Sequence, residues 1–196
     1  MQLSKQSIVL VSLLVEGFLA VLFVIWAYLT NYTFDPIPEY SDLVLGVAMT
    51  IPLLIFNFFI FSFLAPRFSF GKPFIELKET IVKPLADELN YKTALLVAVF
   101  AGIGEELFFR GLVQIELGFI VANLIFALIH FGSSIKKYLL VAIIYFFIGL
   151  YFSFLCSNYF SDLTGYSPSL WVPIITHCLY DYLVLMYMKY YSKKLS

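Results

Sequence analysis

Apolar residues fall into six runs, Ser7–Thr30, Leu43–Ala65, Thr93–Gln114, Leu117–Phe131, Tyr138–Ser157 and Leu170–Met188, each bounded by polar or charged residues. A helix needs about 20 residues to cross roughly 30 Å of hydrocarbon, so every run except the fourth has spanning length. The short fourth run reads as a steeply packed or partly re-entrant segment. Between the second and third runs, Pro66–Lys92 mixes Phe68, Phe70, Phe74, Ile75, Leu77, Ile81 and Val82 with lysines and glutamates. That is the composition of an amphipathic segment at a membrane surface, the alternative being a solvated connector. Pro84 is placed to open a helix in its first turn, and the pattern from Leu85 to Lys92 then leads into the third run. The stretch Asn158–Ser169, with Asp162, Gly165 and Pro168, reads as an ordinary turn-rich loop.

Composition agrees with a bilayer. At 62% hydrophobic and 13% charged, with a mean hydropathy of +0.93, the 196 residues lie outside the range of soluble globular domains. One membrane domain is expected: two spans over residues 1–66, a connector over 67–92 and a four-span core over 93–188. The first run is too long for the apolar part of a secretory signal and no small-residue cleavage site follows it, so it reads as retained. Cys156 and Cys178 both sit inside expected spans, as packing residues rather than a disulfide. Trp26, Tyr28, Tyr32, Trp171, Tyr187, Tyr190 and Tyr191 gather near segment ends, as an interfacial belt requires.

Net charge is −1 and says nothing about partners, but the distribution of bases does. Every lysine and arginine except Arg110 falls before the first run, between the second and third, between the fourth and fifth, or after the sixth. The intervening loops carry only acids: Asp35, Glu39 and Asp42, then Glu116, then Asp162. The positive-inside rule therefore puts both termini in the cytoplasm of a multi-pass cell-membrane protein.

The twelfth base marks the chemistry. Glu105-Glu106-Leu107-Phe108-Phe109-Arg110 places three ionisable side chains inside an apolar run, and each costs on the order of 2.5–3.5 kcal/mol at the centre of a membrane helix unless it faces a protein interior. Glu106 and Arg110 are four apart and meet on one helix face as an ion pair. Glu105 points about 100° away and has no partner on its own helix. A desolvated carboxylate without a fixed partner takes up a proton readily, which suits a general base acting on water; a packing ion network is the alternative. Ala98 and Gly102 form a small-xxx-small spacing that admits a neighbouring helix, and Gly102 and Gly104 leave room for a water.

The remaining histidines sit in separate runs. Asn123, Phe126 and His130 share one face of the fourth, and His177 and Asp181 one face of the sixth. With Glu105, His130 can orient a water, and His177 with Asp181 can hold an oxyanion or a carbonyl. A zinc site using Glu105, His130 and His177 is the competing account, although no His-Glu-x-x-His helix is present. Phosphate-loop, nucleophile-elbow and nucleic-acid motifs are absent. Glu16, midway along the first run, is expected to pair with a buried hydroxyl or amide such as Asn57.

Glu105-Glu106-x-x-x-Arg110, Phe126-x-x-x-His130 and His177-x-x-x-Asp181, in this order, resemble the motifs of the CAAX protease and bacteriocin-processing family of intramembrane endopeptidases, with Ser169-Leu170-Trp171 ahead of the last motif also similar. The resemblance covers about Leu85 to Met188. It implies that the two glutamates, the two histidines and residue 181 form a site for peptide-bond hydrolysis by an activated water, glutamate- or metal-dependent, on a membrane-associated peptide or protein. Asp181 departs from the prenyl-endopeptidase pattern, where asparagine is usual. Aspartate donates to an oxyanion only when protonated, so it is neutral, or orients His177, or helps hold a metal. The rival classes are a non-catalytic immunity or scaffold protein and a proton-coupled transporter.

The expected fold is therefore all-α, polytopic, with about six transmembrane helices and a four-helix catalytic core. His130 lies just before Lys136 and Lys137, toward the inner half, whereas His177 lies about 10 Å below the outer end of its run. The helices must be tilted or offset for the two to meet, near the midplane and with access from the cytoplasmic side. In a background with Cys156 and Cys178 replaced by alanine, Asp35→Cys and Asp162→Cys should react with an impermeant thiol reagent in intact cells. Lys83→Cys and Lys194→Cys should not, and labelling at 83 would reverse the orientation.

Overall fold

The computed structural model describes residues 4–167 and 169–190. Pro168, Tyr191, Lys193 and Lys194, used above for the outer loop, the aromatic belt and the basic tail, lie outside the described residues. Among those described there are helices and turns but no strand.

The helices are α1 (Lys5–Thr30), α2 (Tyr40–Phe58), α3 (Lys72–Leu77), α4 (Lys83–Glu88), α5 (Tyr91–Phe108), α6 (Gln114–Phe131), α7 (Leu139–Leu155), α8 (Asn158–Thr164) and α9 (Trp171–Tyr190). π-helical turns extend α2 through Leu64 and join α5 to α6 through Val113. Among the described residues three stretches are long and apolar enough to cross a membrane: 5–30, 40–64 and the joined run 91–134. α7 and α8, bent by 60°, pass that test together, whereas the tyrosines and site residues of α9 lower its hydropathy. Along α1 and α2 most apolar side chains are exposed, among them Leu14, Phe18, Val24, Leu29, Ile51 and Ile55. Apolar surface on that scale belongs against lipid.

The third and fourth expected segments are one helical run broken at Gly118, whose φ of 79° and ψ of 168° lie in territory open only to glycine. The chain doubles back there, and Phe109 of the first limb packs edge-on against Phe126 of the second, 5.1 Å between centroids. Glu105 is thirteen residues before the break and His130 twelve after it. At 1.5 Å per residue both sit roughly 18–20 Å from the bend, at one depth. This resolves the mismatch in depth that the sequence suggests.

Two local expectations are corrected. Pro84 does lie in the first turn of α4, but Leu89 is extended (φ −82°, ψ 147°) and Asn90 caps a fresh start by accepting from Lys92 and Thr93 N–H at 3.0 Å each. The third span therefore does not continue out of the connector. Asn158–Thr164 is a helix rather than a plain loop. Ser157 caps it, its hydroxyl accepting from Phe160 N–H at 3.2 Å, and Gly165 ends it at φ 75°.

Within the connector Phe74, Leu77, Ala86 and Leu89 are buried while Phe68, Phe70, Ile75 and Ile81 stay exposed. At its end of the bundle Lys137 pairs with Glu76 at 2.5 Å and Lys189 donates to the Asp87 carbonyl at 2.8 Å. At the other end Trp171 Nε1 donates to the Asp35 carbonyl at 2.9 Å and Trp26 Nε1 to Glu116 at 2.7 Å. The basic connections share one end and the acidic ones the other.

Gly118→Ala should lower stability in detergent by about 1–3 kcal/mol, since alanine must adopt a backbone region that only glycine occupies freely. Gly17 also has open space around its Cα but a helical backbone, so Gly17→Ala should be neutral or stabilise by about 0.5–1 kcal/mol. Equal melting temperatures for the two variants would mean that the bend at 118 is not held in this conformation.

Candidate active site

The centre of the molecule is polar and closed. Glu106 is fully buried and Arg110 is 2% exposed, and the expected pair forms, Nη1 donating to Glu106 Oε1 at 3.2 Å. Arg110 Nη2 donates to Asn123 Oδ1 at 3.2 Å and to the Gly149 carbonyl at 3.0 Å. The guanidinium lies 4.7 Å from the Phe126 ring and 5.3 Å from Phe152, so aromatic faces share its charge. Asn123 is held in turn, donating to the Phe119 carbonyl at 2.8 Å and Ser153 Oγ at 2.7 Å. It belongs to the arginine's support rather than to the His130 face.

Two histidines then meet two adjacent glutamates. His177 Nδ1 donates to Glu106 Oε1 at 2.7 Å, Nε2 faces Asp181 Oδ2 at 3.5 Å, and the ring stacks on Phe152 with centroids 4.8 Å apart. His130 Nδ1 donates to the Phe126 carbonyl at 2.7 Å, which leaves Nε2 turned toward Glu105 Oε2 at 3.7 Å. The same ring lies 5.0 Å from Tyr145. Oε2 of Glu105 and Oε2 of Glu106 are buried and make no hydrogen bond among the described residues, so both remain free acceptors. All six candidates converge: Glu105, Glu106 and Arg110 from α5 and its π turn, His130 from α6, His177 and Asp181 from α9.

Small residues make this convergence possible. A Cβ on Gly102 would fall 2.9 Å from Cys178 N and 3.0 Å from the Ile174 carbonyl, and one on Gly149 would fall 3.3 Å from Arg110 Nη2. The space beside Gly102 and Gly104 is filled by neighbouring helices rather than left for a water. Asn57 is not the partner of Glu16 either, because its amide donates to Tyr180 Oη. Both cysteines are free thiols in packed positions.

The donor set does not fit the zinc reading. Both ring nitrogens of His177 are directed at carboxylates, and among the described residues no three His, Cys, Asp or Glu side chains close on a common point. Glu105 and His130 alone are two ligands, short of the three or four that zinc takes.

An apolar cavity of about 170 Å³ adjoins the site, lined by Asn57, Phe61, Tyr145, Tyr180, Asp181 and Val184 among others. It shares Asn57, Phe61 and Val184 with a second cavity of about 290 Å³ that Lys78 also borders.

Residues 87–183 match the family model of type II CAAX prenyl endopeptidase, Rce1-like proteins. That stretch of the chain belongs to this family. It contains every site residue named above, and the family is one of peptidases. Comparison with curated proteins and with solved structures gives no match. α1 and α2 precede the Rce1-like stretch.

Arg110→Ala should leave Glu106 and Asn123 buried without their partner, at a cost of about 3–5 kcal/mol. Melting in detergent should fall accordingly and expression with it; a melting temperature equal to the parent's would show that the pair is not structural.

Proposed function

We propose that the chain is an intramembrane endopeptidase that hydrolyses a peptide bond of a membrane-associated substrate with a water activated by Glu105. The observation that carries this reading is the juxtaposition of Glu105 Oε2 and His130 Nε2. At 3.7 Å they are too far apart to bond directly, and a water about 2.8 Å from each closes the triangle. With its Nδ1 proton committed to Phe126, His130 offers the Nε2 lone pair to one water proton while Glu105 takes the other. The hydroxide oxygen then bonds the carbonyl carbon.

His177 supplies the opposite pole. Its Nε2–H sits 3.5 Å from Asp181, a weak hold that a developing oxyanion can displace. Asp181 acts here through His177, orienting the ring, so the replacement of asparagine need not remove the oxyanion donor. Glu106 and Arg110 fix His177 from the other nitrogen and touch no substrate. When the C–N bond breaks, the proton on Glu105 passes to the amine.

The apolar cavities give the substrate an apolar approach between α2, the connector and α9. The six-span topology with both termini cytoplasmic is part of the proposal, supported by the sorting of basic and acidic connections to opposite ends. It puts Lys78, and hence the mouth of the approach, on the cytoplasmic side.

Glu105→Gln should fold and insert as the parent does but lose about 10²–10⁴-fold in hydrolysis of membrane-tethered peptides, since an amide cannot accept the proton of water. The assay is cleavage in proteoliposomes of a peptide panel with and without a lipidated cysteine. Near-parental turnover by the Gln variant would place the base elsewhere.

A further inference from the structure

The cavity beside the site has mostly apolar walls, so the few polar atoms that open on it decide what it can hold in place. Besides Lys78, its polar lining is Asn57, Tyr145, Tyr180 and Asp181. Asn57 Nδ2 donates to Tyr180 Oη, which ties α2 to α9, and Asp181 Oδ2 faces His177 Nε2. The hydroxyl of Tyr145 makes no hydrogen bond among the described residues, and it is not sealed from the cavity. A tyrosine O–H among apolar walls ordinarily finds a partner, so an uncommitted one beside a candidate active site points to a partner that arrives with the substrate.

Packing fixes where that hydroxyl stands. Tyr145 comes from the middle of α7, one turn before Gly149, whose carbonyl anchors Arg110. Its ring lies 5.0 Å from the His130 ring, tilted by 54°, and meets Phe131 edge-on, also at 5.0 Å. One side chain therefore touches the histidine that faces Glu105 and opens on the same cavity as Asp181, which faces His177.

We propose that Tyr145 is a further catalytic residue, its hydroxyl donating, together with His177 Nε2–H, to the carbonyl oxygen of the scissile peptide as negative charge develops there. The inference rests on the endopeptidase reading and supplies a second donor that Asp181, an acceptor when ionised, does not. The water oxygen bonds the carbonyl carbon as its proton passes to Glu105. The π electrons of the carbonyl move onto oxygen, where the two donors hold them, and their return expels the amine, which takes the proton from Glu105. Tyr145 keeps its own proton throughout.

Tyr145→Phe deletes the hydroxyl and keeps the ring against His130 and Phe131, so the variant should melt with the parent in detergent. In the proteoliposome assay its kcat should fall by about 10²-fold with KM unchanged, the loss expected for one donor to an oxyanion. The same peptide with a phosphinic group in place of the scissile bond puts anionic tetrahedral oxygens where the oxyanion forms, and its inhibition constant should rise by a similar factor in Tyr145→Phe. A tyrosine that only packs on His130 would move neither number, and one that only orients the water through His130 would lower kcat without weakening the phosphinic peptide. Parental kcat or undiminished inhibition therefore overturns the proposal. An equally active Phe variant beside an active parent removes this proposal alone, whereas a parent that cleaves none of the peptides removes the endopeptidase reading and the proposal with it.

Discussion

The polar centre of this molecule is organised around one buried guanidinium. Arg110 sits where a free charge is prohibitive, and its burial is compensated from three directions: Glu106 on its own helix run, Asn123 Oδ1 across the bend, and the Gly149 carbonyl on α7. Glu106 accepts from both Arg110 and His177 through the same oxygen. The guanidinium thus fixes α5, α6, α7 and, through His177, α9 relative to one another. Such a network is costly to break and specifies a single arrangement of helices that apolar packing in lipid would leave loose.

Close approach of backbones is the second requirement. In a bilayer little hydrophobic force draws helices together, so contact depends on van der Waals packing and on residues without side chains. Gly102 admits α9, Gly104 and Gly111 admit α1, and Gly149 lets Arg110 reach a main-chain carbonyl. Gly46 does the same for α2, where a Cβ would fall 2.6 Å from the Ile175 side chain; Thr176 also donates to the Gly46 carbonyl at 3.1 Å. These contacts bring residues from distant parts of the chain to two adjacent glutamates, His177 bonding Glu106 at 2.7 Å and His130 lying 3.7 Å from Glu105.

Those two glutamates, one residue apart, serve different ends because a helix turns about 100° per residue. Glu106 faces the arginine and a histidine and is locked. Glu105 faces His130 across a wider gap, with an oxygen free to accept. A rigid carboxylate that organises and a looser one that can exchange protons is the division of labour a hydrolytic site needs.

Much of this was legible in the chain itself. Local periodicity decides which residues share a helix face, so the Glu106–Arg110 pair, the isolation of Glu105, and the His177–Asp181 face follow from spacing alone. The three motifs in order were enough to recognise the family of residues 87–183. Tertiary structure decided the rest. That Glu105 and His130 lie at one depth depends on the bend at Gly118, whose backbone conformation no spacing reveals. That His177 gives Nδ1 to Glu106, and that Asn123 serves the arginine, depends on how helices pack. The partner of Glu16 does not follow from the sequence, because a lone acid on a helix carries no information about the neighbouring helix. The place of Glu16 beside Gly104 is fixed by a register between two helices some eighty residues apart in sequence, a long-range relation that only packing can set.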